Sequence, residues 1–209
     1  MELSLDHFIY AGRDLEALSQ QFEHLTGVVP GKGGRHPGMG THNALASLGS
    51  DIYFELLAVD PTQTDTLDGT MGARLKAMGE PRLLAYMLRG QELERQQAVL
   101  TKFGIGADLF EASRNAIDGK TLRWRLLIPH AHPLGDFIPK FIDWKDTVHP
   151  AKTSAAGCAF ERFDLGHPEA GQLNDLLGEL GSDLRVQCAS AGYFQLRVKA
   201  PKQTISFVG

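Results

Sequence analysis

Apolar residues follow two spacings along this chain, short β-prone runs and helical steps of three or four residues, and the two succeed each other three times. In the first stretch LSLDHFIYAG reads as a strand and RDLEALSQQFEHLTG as a helix, because Leu15, Leu18, Phe22 and Leu25 fall on one stripe. Asp14 is the predicted N-cap, with a carboxylate to accept the first unpaired amide protons, and Gly27 closes the helix. A glycine-rich passage follows. THNALASLG and DIYFELLAV then read as an antiparallel pair turning at Gly49, Ser50 and Asp51.

The second stretch repeats the order. PRLLAYMLRG is a strand, QELERQQAVLTKFG a helix carrying Leu93, Val99, Leu100 and Phe103, and KTLRWRLLIP a strand after a turn at Asp118–Gly119. FIPKFIDWKD is its last strand. After HPAKTSAAG the third stretch has the strand CAFERFDLG, the helix PEAGQLNDLLGELG with Leu173, Leu176, Leu177 and Leu180, and the hairpin YFQLRVKAPKQTISFVG. Laying residues 12–16 over 90–94 gives an internal repeat in which His7 falls on Ala85 and Glu55 on Asp143. In the third stretch the same positions are Glu161 and Ser206, so that unit reads as structural or as a lid. The expected divisions are 1–80, 81–152 and 153–209, within one assembly, because each piece is too small to bury both faces of its own sheet.

Composition narrows the class. With 209 residues, 43% apolar and 22% charged, the chain is neither disordered nor fibrous. No apolar run reaches the roughly 20 residues that span a bilayer, and Met1–Tyr10 lacks the basic start and long apolar centre of a signal peptide. A cytoplasmic protein with no membrane partner is expected. The charge of 21 minus 25, or −4, comes without a run of Lys and Arg, so nucleic acid is not an expected partner. Cys158 and Cys188 read as two buried thiols rather than a disulfide framework or a metal pair.

The chemistry concentrates in two polar residues. His7 and Glu55 each sit in an apolar, β-prone run, where an ionisable side chain needs a partner, a metal or a water-lined cavity to offset its desolvation. Imidazole plus carboxylate suits zinc, iron, manganese or nickel better than calcium, and the repeat offers Asp143 as a third ligand or base. The run 31–43 has five glycines with His36 and His42, a flexible loop that brings backbone close to a ligand but lacks the phosphate-loop order. His36 and His42 are candidate supplementary ligands, substrate contacts or acid/base groups, and Asn43, on the same side as Leu45, can fix a carbonyl or hydroxyl. Arg125 alternates with Trp124 and is a candidate for a substrate carboxylate, and Trp144 is a candidate aromatic contact. His130 and His132 lie in a proline-rich loop and are expected to face solvent.

LDHFIYAGRDLEAL, GGRHPGMGTHNALASLG, IYFELLAVD, and FIDW followed by His149–Pro150, together resemble the glyoxalase-like branch of the vicinal oxygen chelate superfamily, grouped with bleomycin-resistance proteins and extradiol dioxygenases. The resemblance implies an α+β fold of paired βαβββ modules forming a cupped mixed sheet, here with a C-terminal βαββ-like unit added. It implies metal ligands from first-strand histidines and last-strand glutamates, which carry over to His7 and Glu55. Ala85 stands where a second histidine would be, and Asp143 shortens a glutamate. The function implied is a metal-assisted lyase or isomerase acting on a small oxygen-rich carbonyl compound, with Glu55 and Asp143 catalytic and a divalent Zn, Ni, Mn or Fe bound. The alternative is a metal-free protein that binds or sequesters a small molecule, with no cofactor. An extradiol oxygenase needs two histidines and a carboxylate, which Ala85 disfavours. A homodimer is compatible with paired modules of this kind.

Overall fold

The computed structural model describes residues 3–63, 69–115 and 121–209. The first stretch folds as β1 (Ser4–Ala11), α1 (Leu15–Thr26), β2 (Gly31–His36), β3 (Thr41–Ser47) and β4 (Tyr53–Val59). A short helix, α2 (Met71–Lys76), leads to β5 (Arg82–Arg89), α3 (Leu93–Lys102), β6 (Ala107–Asn115), β7 (Thr121–Pro129) and β8 (Lys140–Asp143). The third stretch is β9 (Ala159–His167), α4 (Ala170–Leu180), β10 (Val186–Cys188), β11 (Tyr193–Lys199) and β12 (Thr204–Val208). The element order βαβββ thus occurs three times, and the C-terminal stretch has one strand, β10, more than expected. The glycine-rich run, expected as a loop, supplies a strand at Gly31–His36. The Asp118–Gly119 turn lies outside the described residues.

The fold is α+β with a mixed sheet. Eight strands hydrogen-bond in the order β2-β3-β4-β1-β5-β8-β7-β6, and four more in the order β10-β9-β11-β12. β3 and β4 are antiparallel, with Leu45 opposite Glu55, whereas β5 and β8 are parallel. The chain divides into two compact units, each drawn from three separate segments. The first is 1–7, 85–149 and 164–194; the second is 8–84, 150–163 and 195–209.

Helix α1 forms for the reasons its sequence suggests. Asp14 accepts hydrogen bonds from the Glu16 and Ala17 amides, and Gly27, at φ 75°, closes the last turn in the left-handed conformation that glycine adopts without strain. Its stripe buries Leu18 and Phe22. In the second unit Phe22, Phe54 and Phe207 pack on one another, with the Phe54 and Phe207 centroids 4.7 Å apart. In the first unit Phe137 stacks on Phe194 at 4.3 Å, and α4 buries Leu173, Leu176, Leu177 and Leu180. Cys158 is buried, but Cys188 is exposed. The expectation of two buried thiols fails there because Cys188 ends a three-residue strand at the margin of the smaller sheet. No helix of the described residues is long and apolar enough to cross a membrane.

Candidate functional site

Strand β1 has a neighbouring strand on either side, and both faces of its middle are covered, so consecutive residues there are buried. Asp6 is fully inaccessible and His7 is 3% exposed. Three side chains of the first unit converge on the Asp6 carboxylate. His7 Nδ1 lies 2.6 Å from Oδ1, His149 Nε2 lies 2.9 Å from Oδ2, and the Trp144 indole N–H donates to Oδ2 at 3.0 Å. Burial alone would raise the Asp6 carboxyl, but the bonds from His149 and His7 outweigh it and hold the group down at about 2. A carboxylate accepting from Nδ1 keeps the proton on that nitrogen and orients the ring. Asp6 and His149 were not candidates in the sequence reading. The available signal was a second ionisable residue beside His7 in the same β-prone run, together with the His149–Pro150 pair.

In the second unit Glu55, 7% exposed, stands mid-strand on β4. Asn43, on β3 two residues before the partner Leu45, donates from Nδ2 to Glu55 Oε1 at 2.6 Å. The same Nδ2 lies 3.3 Å from His36 Nε2, and His36 Nδ1 lies 2.9 Å from Thr41 Oγ1. The Gly34 amide donates to Asn43 Oδ1 at 2.7 Å. His36, Asn43 and Glu55, singled out separately in the sequence, therefore form one hydrogen-bonded chain. His42 neighbours Asn43 on β3 and so projects to the opposite face.

The signature of a glyoxalase-like domain matches residues 5–181. The chain belongs to that family. With it comes membership of the vicinal oxygen chelate superfamily. No curated protein matches the chain. Among solved structures, a hypothetical protein from Staphylococcus aureus is similar over 92% of this chain and 88% of its own, at a TM-score of 0.68 and 16% identity. A methylmalonyl-CoA epimerase in complex with methylmalonyl-CoA and NH4+ is similar over 72% of this chain and all of its own (100%), at a TM-score of 0.50 and 16% identity. At these identities the likeness is one of fold.

The remaining candidates of this glyoxalase-like protein lie in the first unit. Arg125 and Asp143 are opposed in the β7–β8 pairing, and the Arg125 guanidinium donates to Asp143 Oδ2 through Nε at 3.2 Å and Nη2 at 3.1 Å. Asp143 Oδ1 accepts the Lys145 amide at 2.9 Å. Arg125 also binds Glu94 and the Gln91 carbonyl. Asp143, Trp144, Lys145 and Arg89 line a recess of about 190 Å³. His130 is exposed and pairs with Asp108 at 3.0 Å, while His132 is only half-buried.

A divalent cation is what the family implies, and the donor atoms test it. His7 has the anchoring that a metal-binding histidine usually has, with Nδ1 tied to a carboxylate. Asp143 matches less well, because the Arg125 guanidinium already supplies the positive charge at its carboxylate. Among the described residues no group of three or more His, Cys, Asp and Glu side chains could hold a metal ion. Among the described residues a site of three protein ligands does not fit this donor set.

Proposed function

We propose that this glyoxalase-like protein is a lyase or isomerase that moves a proton on a small oxygen-rich carbonyl compound, with Glu55 as the group that carries it. The observation behind this reading is the Glu55 carboxylate, buried mid-strand with one oxygen gripped by Asn43 at 2.6 Å. A carboxylate in that setting cannot rotate away, and general base catalysis depends on such a fixed approach. It removes a proton from carbon beside the carbonyl, the electron pair passes to the carbonyl oxygen, and the protonated acid returns the proton to the same or another position. Return to carbon gives an isomer; expulsion of a leaving group gives a lyase product. On this reading the protein works in the cytoplasm on a small molecule, alone or as a homodimer.

Deuterium exchange into small dicarbonyls and into methylmalonyl-CoA, followed by NMR in D2O, tests the proposal. Wild type is expected to exchange a carbon-bound proton of one of these classes, and Glu55→Gln to lose about 10²-fold or more of that rate. Equal rates for the two proteins would refute it. The Arg125 guanidinium paired with Asp143 favours a second reading, metal-free binding or sequestering of a small molecule. Tight binding of a compound that neither protein turns over would establish that one. The metal-assisted form, with His7, Glu55 and Asp143 as ligands, predicts one equivalent of Zn, Ni, Mn or Fe after reconstitution and its loss in His7→Ala. Elemental analysis of both proteins decides that point.

A further inference from the structure

Resting on the role assigned to Glu55, we propose that Asn43 is a positioning residue for that carboxylate, set by a glycine bulge in β2, and not a group that binds substrate. The β2–β3 register pairs Lys32 with Ala44 and Arg35 with His42. Gly33 and Gly34 together therefore stand against Asn43 alone, the two-against-one count of a β-bulge. The bulge aims the Gly34 N–H at Asn43 Oδ1. Only an oxygen can accept there, so this contact decides which end of the carboxamide is which.

With Oδ1 fixed, Nδ2 faces Glu55 Oε1 at 2.6 Å and His36 Nε2 at 3.3 Å. Both of its hydrogens are committed. His36 Nε2 then accepts, which leaves the proton on Nδ1 to donate to Thr41 Oγ1. Every donor and acceptor from Gly34 to Thr41 runs in one consistent direction. Gly33 makes the arrangement possible. A Cβ at that position would lie 1.9 Å from Asn43 Oδ1 and 2.8 Å from the Asn43 carbonyl oxygen. Glycine is needed there for room, since the carboxamide occupies the space that any side chain would fill.

The test uses the full-length protein and three variants. Gly33→Ala pushes the carboxamide aside without altering Asn43; Asn43→Ala removes it; Asn43→Asp keeps an acceptor for Gly34 but turns a second carboxylate on Glu55. In the exchange assay above, Gly33→Ala and Asn43→Ala are expected to lose at least ~10-fold in kcat with KM changed by less than about 2-fold. Asn43→Asp is expected to be slower than Asn43→Ala, an order that a merely structural role would reverse. A rise in KM with kcat intact would show a substrate contact and overturn the proposal. Should no substrate exchange, or should Glu55→Gln match wild type, the Glu55 reading fails and side-chain amide NMR judges the positioning by itself. The Asn43 NH2 signals should be protected from solvent exchange in wild type and should shift in Glu55→Gln and in Gly33→Ala; unprotected or unmoved signals overturn it. If Gly33→Ala does not fold, the two Asn43 variants and the wild-type protection carry the same decision.

Discussion

Asp6→Asn is the substitution whose consequences the structure fixes most closely. The wild-type carboxylate offers two oxygens to His7, His149 and Trp144, whereas an asparagine offers one oxygen and turns an NH2 toward groups that are themselves donors. Asp6 is held at about 2 against an ordinary 3.8, so the cluster favours the ionised form by about 2 kcal/mol. Stranding a buried donor adds about 1–3 kcal/mol to that, for a total near 3–5 kcal/mol. Urea unfolding followed by tryptophan fluorescence measures it, since Trp144 is itself a partner. The pH dependence has a definite sign. A depressed carboxyl contributes fully above its unfolded value and loses that contribution as pH falls from about 4 towards 2. The gap between wild type and Asp6→Asn should therefore be widest from pH 5 to 7 and narrow below pH 4. A gap under about 1 kcal/mol at pH 7, or one that stays constant down to pH 2, would refute the reasoning.

Two other outcomes follow from local geometry. Lys145 holds φ at 50°, in the left-handed region, and its side chain pairs with an exposed Glu111 worth little in water, so Lys145→Gly should raise stability by about 0.5–1 kcal/mol in thermal unfolding. A loss of more than that would mean the Lys145 side chain contributes packing or charge that outweighs the strain. A thiol reagent should label Cys188 at once and Cys158 only after unfolding, which mass spectrometry of the native protein reads directly; prompt double labelling would contradict the burial of Cys158.

The strands that the sequence does not mark share one property, the lack of a buried apolar run. β1, β4 and β5 are buried along most of their length and were legible as apolar runs. β2, β6 and β10 each follow a helix and lie at a margin of a sheet. β2 has no buried residue, β10 buries only Val186, and residues 107–113 of β6 are all half-buried or exposed, so no apolar pattern marks them. The same logic explains the site. Asn43 and Glu55 were legible because alternation on two paired strands puts them on one face. Asp6 was not, because alternation separates inside from outside only where one face of a sheet meets solvent. On a central strand with both faces covered, a residue assigned to the far side is as buried as its neighbour, and the rule that found His7 hid its partner. The Arg125–Asp143 pair marks a further limit, since its chemistry depends on the β7–β8 register, which relates residues 18 apart through a connection with no regular alternation. What a single sequence makes readable here is therefore which residues are costly to bury; which of them satisfy one another is decided by pairing between strands, as Arg125 and Asp143 show.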